Sequence, residues 1–197
     1  MIDFDTFVIL GGGPSLTVED VEYVRDKARV ICVNNSYTLA PWAFALYAAD
    51  AHWIEWHDGA PSFKGMKFSI ESHDTTTRPG WTALRNTGFE GLETEPKAIR
   101  TGFNGGYQAI GLAYHLGAKR VILLGFDMQS DANGRCHWHP EHPDGKVSPY
   151  AQFIGAFDTI VQPLKSAGVE VINCTPGSAL TCFPSMPLRD VFAEVAA

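Results

Sequence analysis

Short apolar runs alternate with amphipathic stretches along this chain. Phe7-Val8-Ile9-Leu10, Val30-Ile31-Cys32-Val33, Phe44 to Ala49, Val121-Ile122-Leu123-Leu124 and Val169 to Cys174 are rich in β-branched, aromatic or aliphatic residues. Each run is bounded by turn-forming or charged residues, which predicts buried strands. Between them, Leu16, Val18, Val21 and Val24 recur with roughly helical spacing, as do Ala109, Leu112, Ala113 and Leu116. Phe153, Ala156, Phe157, Ile160, Val161 and Leu164 mark a longer helix, with Pro163 predicting a kink or an early stop. A short helix is expected after Asp50, and a last one from Pro187. Arg120 to Asp127 is apolar on both faces, as a central parallel strand is. Strands alternating with helices predict an α/β fold, a Rossmann-like three-layer sandwich around a doubly wound, mostly parallel sheet.

The stretch from about residue 58 to 99 breaks this rhythm. Pro61, Gly65, Pro79, Gly80, Gly88, Gly91 and Pro96 punctuate it, and only Met66 to Ile70 reads as a strand. It is expected to be a loop-rich insertion or lid on one α/β domain spanning 1–197. Thr75 to Arg78 reads as a solvated loop, with anion contact as the alternative.

Composition narrows the function classes. With 197 residues, 45% hydrophobic and 19% charged, the chain can build a full core. A net charge of -7 argues against a nucleic-acid partner, which calls for a basic face. No apolar run reaches the length of a membrane span, and the N-terminus carries no basic-then-apolar leader pattern. A cytoplasmic protein is expected. Cys32, Cys136, Cys174 and Cys182 form no C-x-x-C pair and are expected to be reduced thiols.

Candidate chemistry gathers at the carboxyl ends of the predicted strands, where open α/β sheets bind ligands. After the first strand come Gly11-Gly12-Gly13-Pro14-Ser15. Glycine permits a sharp turn and close approach of a ligand to backbone N–H groups. Pro14 suits a first helical turn, and Ser15 can cap it. The geometry fits a phosphate, although Leu16 breaks G-x-G-x-x-G and no Gly-Lys-Ser/Thr follows. The alternative is a plain tight βα turn. Asn34 and Asn35 end the second strand, where amides can read a base or ribose, or simply turn the chain. Thr101, Gly102, Asn104 and Gly105 open a helix whose N-terminus is a second anion or sugar site. Gly125 and Asp127 close the central strand; the carboxylate can bind a metal or a ribose, act as a base, or hold a loop. His137, His139 and His142 fall within six residues. Neutral imidazoles at this spacing suit a catalytic base, a substrate contact or a metal such as Zn, with a structural loop as the remaining reading.

Three blocks carry a resemblance. They are Gly11 to Leu16, the Thr101–Gly117 block feeding Leu123-Leu124-Gly125-Phe126-Asp127, and Asn173 to Pro187. With the His-Trp-His run, the chain resembles a group of phage and prophage proteins, which implies the cytoplasm of a bacterial host. More distantly it is similar to bacterial lipooligosaccharide sialyltransferases that use CMP-sialic acid, and to the 6-hydroxymethylpterin diphosphokinase-like family. The sialyltransferase resemblance implies that Gly11, Gly13, Ser15, Asn34, Thr101, Gly102, Gly125 and Asp127 surround a cytidine nucleotide. The position matching that family's general-base His falls near Ala151, so the base would come from His142 or His139 upstream. The leading expectation is a transferase binding a nucleotide or nucleotide sugar, with a glycan or small-molecule acceptor. The second is a pyrophosphokinase needing ATP and Mg, with Asp127 and Asp50 as ligands. A non-catalytic phage accessory protein and a metal-dependent hydrolase built on the histidine run complete the set.

Overall fold

β1 (Asp3–Leu10) is the strand around which the sheet is built. The computed structural model describes residues 3–71, 78–140 and 148–193. Phe7, Val8, Ile9 and Leu10 are all fully buried. Phe7 and Ile9 point into one hydrophobic cluster, and Val8 and Leu10 into another on the opposite face. A strand apolar on both faces can sit only between two covering layers.

β2 (Ala28–Val33), β3 (Ala45–Tyr47), β4 (Met66–Ile70), β5 (Trp81–Asn86) and β6 (Ala98–Ile99) extend the sheet on one side of β1. β7 (Arg120–Leu124) and β8 (Glu170–Asn173) extend it on the other. The order is β6-β5-β4-β3-β2-β1-β7-β8, and every pairing is parallel. The chain thus reverses its winding at β1/β7, where Thr6–Leu10 lies in register with Arg120–Leu124. Such a switch point opens a crevice at the carboxyl ends of the strands.

α3 (Gly105–His115) and α4 (Tyr150–Ser166) cover one face of the sheet through Ala109, Ile110, Phe157 and Ile160. α1 (Val18–Val24), α2 (Ala51–Trp56) and α5 (Leu188–Ala193) cover the other through Val21, Val24, Trp53, Ile54 and Val191. The α/β three-layer, doubly wound architecture is the one the periodicity predicts. Pro163 lies inside α4, which continues to Ser166. Among the described residues no helix is long and apolar enough to cross a membrane.

The segment expected as an insertion or lid, about 58–99, instead supplies β4, β5 and β6 to the sheet. Its pattern is weak because these strands run toward an edge. β5 buries only Leu84, and Thr82, Arg85 and Asn86 are exposed. Thr75, Thr76 and Thr77 lie outside the described residues.

Candidate functional site

The carboxyl ends of β1, β2 and β7 open into a cleft of ≈ 390 Å³. Its walls come from the Gly11–Gly13 turn, Asn34, Asp50 with Trp53 and Trp56, Phe103 to Gly106, Gly125 to Gln129, Cys136, His137, His139, and Ser148 to Tyr150 with Phe153.

The glycine turn is held mainly by the protein itself. Gly11 N donates to Leu124 O at 2.8 Å, and Gly13 N to Gly125 O at 2.9 Å. Ser15 N donates to Asp127 Oδ1 at 3.1 Å, and the Ser15 hydroxyl to Asp127 Oδ2 at 2.9 Å. A Cβ on Gly13 would stand 1.9 Å from Asp127 Oδ2, so only glycine lets the carboxylate close the turn. Gly12 takes no part in these bonds; its α-carbon faces His137 and His139, and its carbonyl accepts from Trp138 N at 3.2 Å. The expectation that Ser15 caps the following helix is corrected here. α1 starts at Val18, and Thr17 is its cap, accepting from Asp20 N. Ser15 faces Asp127 because the turn runs further than a Pro14 start would allow.

Asp127 lines the cleft but is buried. Burial raises its pKa, and the two Ser15 hydrogen bonds act against that rise. Its carboxylate is a loop-closing group, which is the structural one of its expected roles. Gly125 has φ +69, where a Cβ would crowd Leu16 at 3.1 Å.

The second helix N-terminus is built as the sequence predicts, with a shift in which residues face the cleft. Asn104 caps α3, its Oδ1 accepting from Gly106 N at 2.8 Å and Tyr107 N at 3.2 Å. Asn104 and Gly105 line the cleft; Thr101 and Gly102 do not. Thr101 O accepts from the Gln108 side chain at 2.7 Å. A Cβ on Gly102 would lie 2.2 Å from the Tyr107 ring. Both residues shape the turn from behind, because chain packing rather than ligand contact requires them. The two asparagines also divide. Asn35 Oδ1 accepts from Trp53 Nε1 at 2.6 Å, outside the cleft lining. Asn34 lines the cleft with φ 51, and its Oδ1 is buried with no hydrogen-bond partner among the described residues. An orphaned buried acceptor is costly and rare, and a ligand donor would satisfy it.

His137 and His139 reach the same cleft, their rings parallel at 4.9 Å. His139 Nδ1 lies 2.7 Å from Pro140 O. A carbonyl only accepts, so Nδ1 carries the proton and Nε2 is the basic nitrogen of the neutral ring. His142 lies outside the described residues. Among the described residues no three His, Cys, Asp or Glu side chains come together as a metal site.

Sequence reasoning gave no role to Cys136, Phe103 or Met128, which also line the cleft. Tyr150 and Cys136 face the cleft together, with Cys136 Sγ 3.3 Å from Ser130 Oγ. Burial, then the neighbouring Cys136 thiol, pushes the Tyr150 phenol up to about 12, so it stays protonated at neutral pH. Phe103 and Met128 both hold left-handed backbone, at φ 57 and 52. Such angles cost a non-glycine residue roughly 1–2 kcal/mol and gather at functional sites. The only advance signal was that Phe103 and Met128 follow Gly102 and Asp127.

No protein-family model matches the sequence, and no curated protein sequence does. The structure is similar to that of the sialyltransferase CstII from Campylobacter jejuni, solved with the substrate analogue cytidine-5'-monophosphate. The TM-score is 0.57 at 14% identity, over 92% of this chain and 84% of that one. At this identity the likeness establishes a shared fold.

Proposed function

We propose that this chain is a glycosyltransferase that binds a CMP-sugar in the switch-point cleft and transfers the sugar to a hydroxyl acceptor. The observation that carries the reading is the convergence on one crevice of Gly12, the α3 N-terminus and the buried Asn34 Oδ1, which has no hydrogen-bond partner among the described residues. The likeness to a CMP-binding sialyltransferase fold supports it.

The donor phosphate would sit between the glycine turn and α3. Asn104 already satisfies two N–H groups there, so Gly105 N–H and the helix dipole remain to face the anion. Asn34 would take a hydroxyl or amine of the ligand. In the transfer step the acceptor oxygen forms a bond to the anomeric carbon. The bond from that carbon to the phosphate oxygen breaks, and its electron pair leaves with the nucleotide. His139 Nε2 takes the acceptor's proton, and the Tyr150 phenol donates a hydrogen bond to the departing phosphate. His137 stacks on His139 and holds its plane. His142 is a further proposed base on the same run.

A thermal-shift series with CMP, ATP and EDTA, followed by His139→Ala, tests this. CMP at a hundred times its Kd stabilises by about 2.7 kcal/mol, a plainly visible shift. His139→Ala keeps that shift and loses about 10²- to 10⁴-fold in turnover of a CMP-sugar. A wild-type protein stabilised only by Mg-ATP would move the assignment to phosphoryl transfer. A variant that keeps full turnover would move the base to His137 or His142.

A further inference from the structure

Most arginines of this protein have an evident partner. Arg25, Arg85, Arg100, Arg120, Arg135 and Arg189 each ion-pair with a carboxylate. Arg29 lies over the rings of Phe4, Phe7 and Phe44. Arg78 does neither among the described residues. It stands just before β5, near the amino ends of β4 and β5, where Lys67 lies in register with Trp81. All strands run parallel, so this is the end of the sheet opposite the switch-point cleft.

Three donors meet there around Gly59. A Cβ on Gly59 would lie 3.1 Å from Arg78 Nη1 and 3.6 Å from Trp81 Nε1, so both nitrogens converge on the space a side chain there would take. Lys67 Nζ donates to Gly59 O at 3.0 Å and to Ala60 O at 3.3 Å, and lies 5.8 Å from the centre of the Trp81 ring. The Trp81 indole N–H is buried and has no acceptor among the described residues.

The charge pattern is one-sided. Burial first, then the positive charges of Lys64 and Arg78, holds the Lys67 ammonium below its usual pKa. Among the described residues no carboxylate, the adjacent Asp58 included, pairs with Lys64, Lys67 or Arg78. The fold explains part of this, because Lys67 satisfies carbonyls that follow α2. It explains neither Arg78 nor the Trp81 N–H. A buried donor without an acceptor is costly, and gathered like charges add to the cost. One oxyanion relieves both, since a guanidinium offers two parallel N–H groups and an ammonium adds charge. Donors from three separate segments suit a group with several oxygens and two charges better than a carboxylate.

We infer that Arg78, Trp81 and Lys67 form a second anion site, for a phosphate group that is free or a monoester. This does not rest on the transferase reading.

The indole N–H signals of isotope-labelled protein, followed by NMR during titration with sodium phosphate, test it. Trp81→Phe keeps a ring and assigns the Trp81 signal by its loss. Trp53 and Trp56 stand in the cleft wall and report on that site separately. Sodium chloride at matched ionic strength controls for screening, and sodium acetate for charge alone. The expected result is a saturable shift of the Trp81 signal with phosphate, and none with chloride or acetate. Arg78→Gln is expected to raise the phosphate Kd about tenfold, and Arg78→Lys to fall between it and wild type. A dispersed indole spectrum shows that each variant is folded. Glycerol phosphate separates the two sources: tighter binding than phosphate makes an ester the occupant, weaker binding the free ion, and either upholds the site. A Trp81 signal that stays still while those of Trp53 and Trp56 move would place phosphate in the cleft alone and overturn the proposal. An equal response to acetate or chloride, or an unchanged Kd in both Arg78 variants, would also overturn it.

Discussion

A Cβ on Gly13 would meet Asp127 Oδ2 at 1.9 Å, whereas one on Gly12 would meet His137 Nδ1 at an ordinary 3.5 Å. The two glycines therefore differ at one turn: Gly13 is closed in by the carboxylate, and Gly12 is open toward the histidines. Gly13→Ala must break the Ser15–Asp127 pair and shift β7's exit, and is expected to cost about 2–4 kcal/mol. Gly12→Ala is expected to fold with stability within about 1 kcal/mol of wild type. The added methyl of that variant occupies the face shared with the histidines, so nucleotide affinity falls instead. Urea denaturation of the two variants, with nucleotide titration of Gly12→Ala, checks both halves. That a glycine turn would follow the first strand was legible from Leu10-Gly11-Gly12-Gly13. Which glycine the Asp127 carboxylate packs against was not, because Asp127 lies 112 residues from Ser15.

At the scale of elements, β5 and β6 are held by a local clasp. The Glu93 carboxylate accepts from the Thr87 hydroxyl and from the N–H groups of Thr94 and Glu95, both at 2.9 Å. Arg100 Nε lies 3.6 Å away. These contacts, the Thr87 hydroxyl first, lower the Glu93 pKa to about 2. A depressed carboxylate contributes stability that is fully present above its unfolded value, near 4.3 for Glu, and is lost as pH falls through the folded value. Glu93→Gln is thus expected to be less stable than wild type at neutral pH, with the gap closing from about pH 5 down to about pH 2. Urea midpoints across that range measure it, and a constant gap would assign the clasp to hydrogen bonding without charge. The strands this clasp supports were the least visible in the sequence. Trp81 to Asn86 alternates poorly because an outer strand is solvated along much of its length. The central strands were visible because both of their faces are covered.

The whole molecule carries a net charge of -7, and its cleft holds carboxylates without lysine or arginine among the described lining residues. On the proposed reading, an anionic nucleotide would be drawn by short-range N–H groups and repelled at long range. Raising NaCl from about 10 to about 150 mM shortens the screening length from about 30 to about 8 Å. The association rate of CMP is expected to rise over that interval rather than fall. Stopped-flow tryptophan fluorescence follows it through Trp53 and Trp56 in the cleft wall. A falling rate would overturn the assignment of a repulsive long-range field to this cleft.

The order of apolar runs and helical stripes determined the α/β class, the position of β1 and β7 in the interior, and the end of the sheet at which the cleft opens. Burial on one or both faces leaves a periodic record in the chain. Tertiary structure alone decided that Asp127 closes the glycine turn, that Thr101 and Gly102 stand behind the cleft, that Asn35 serves Trp53, and that Trp56, Phe103 and Tyr150 join His139. Those facts depend on contacts between residues far apart in sequence. No local period encodes such a contact, because it exists only once the sheet brings the strand ends together.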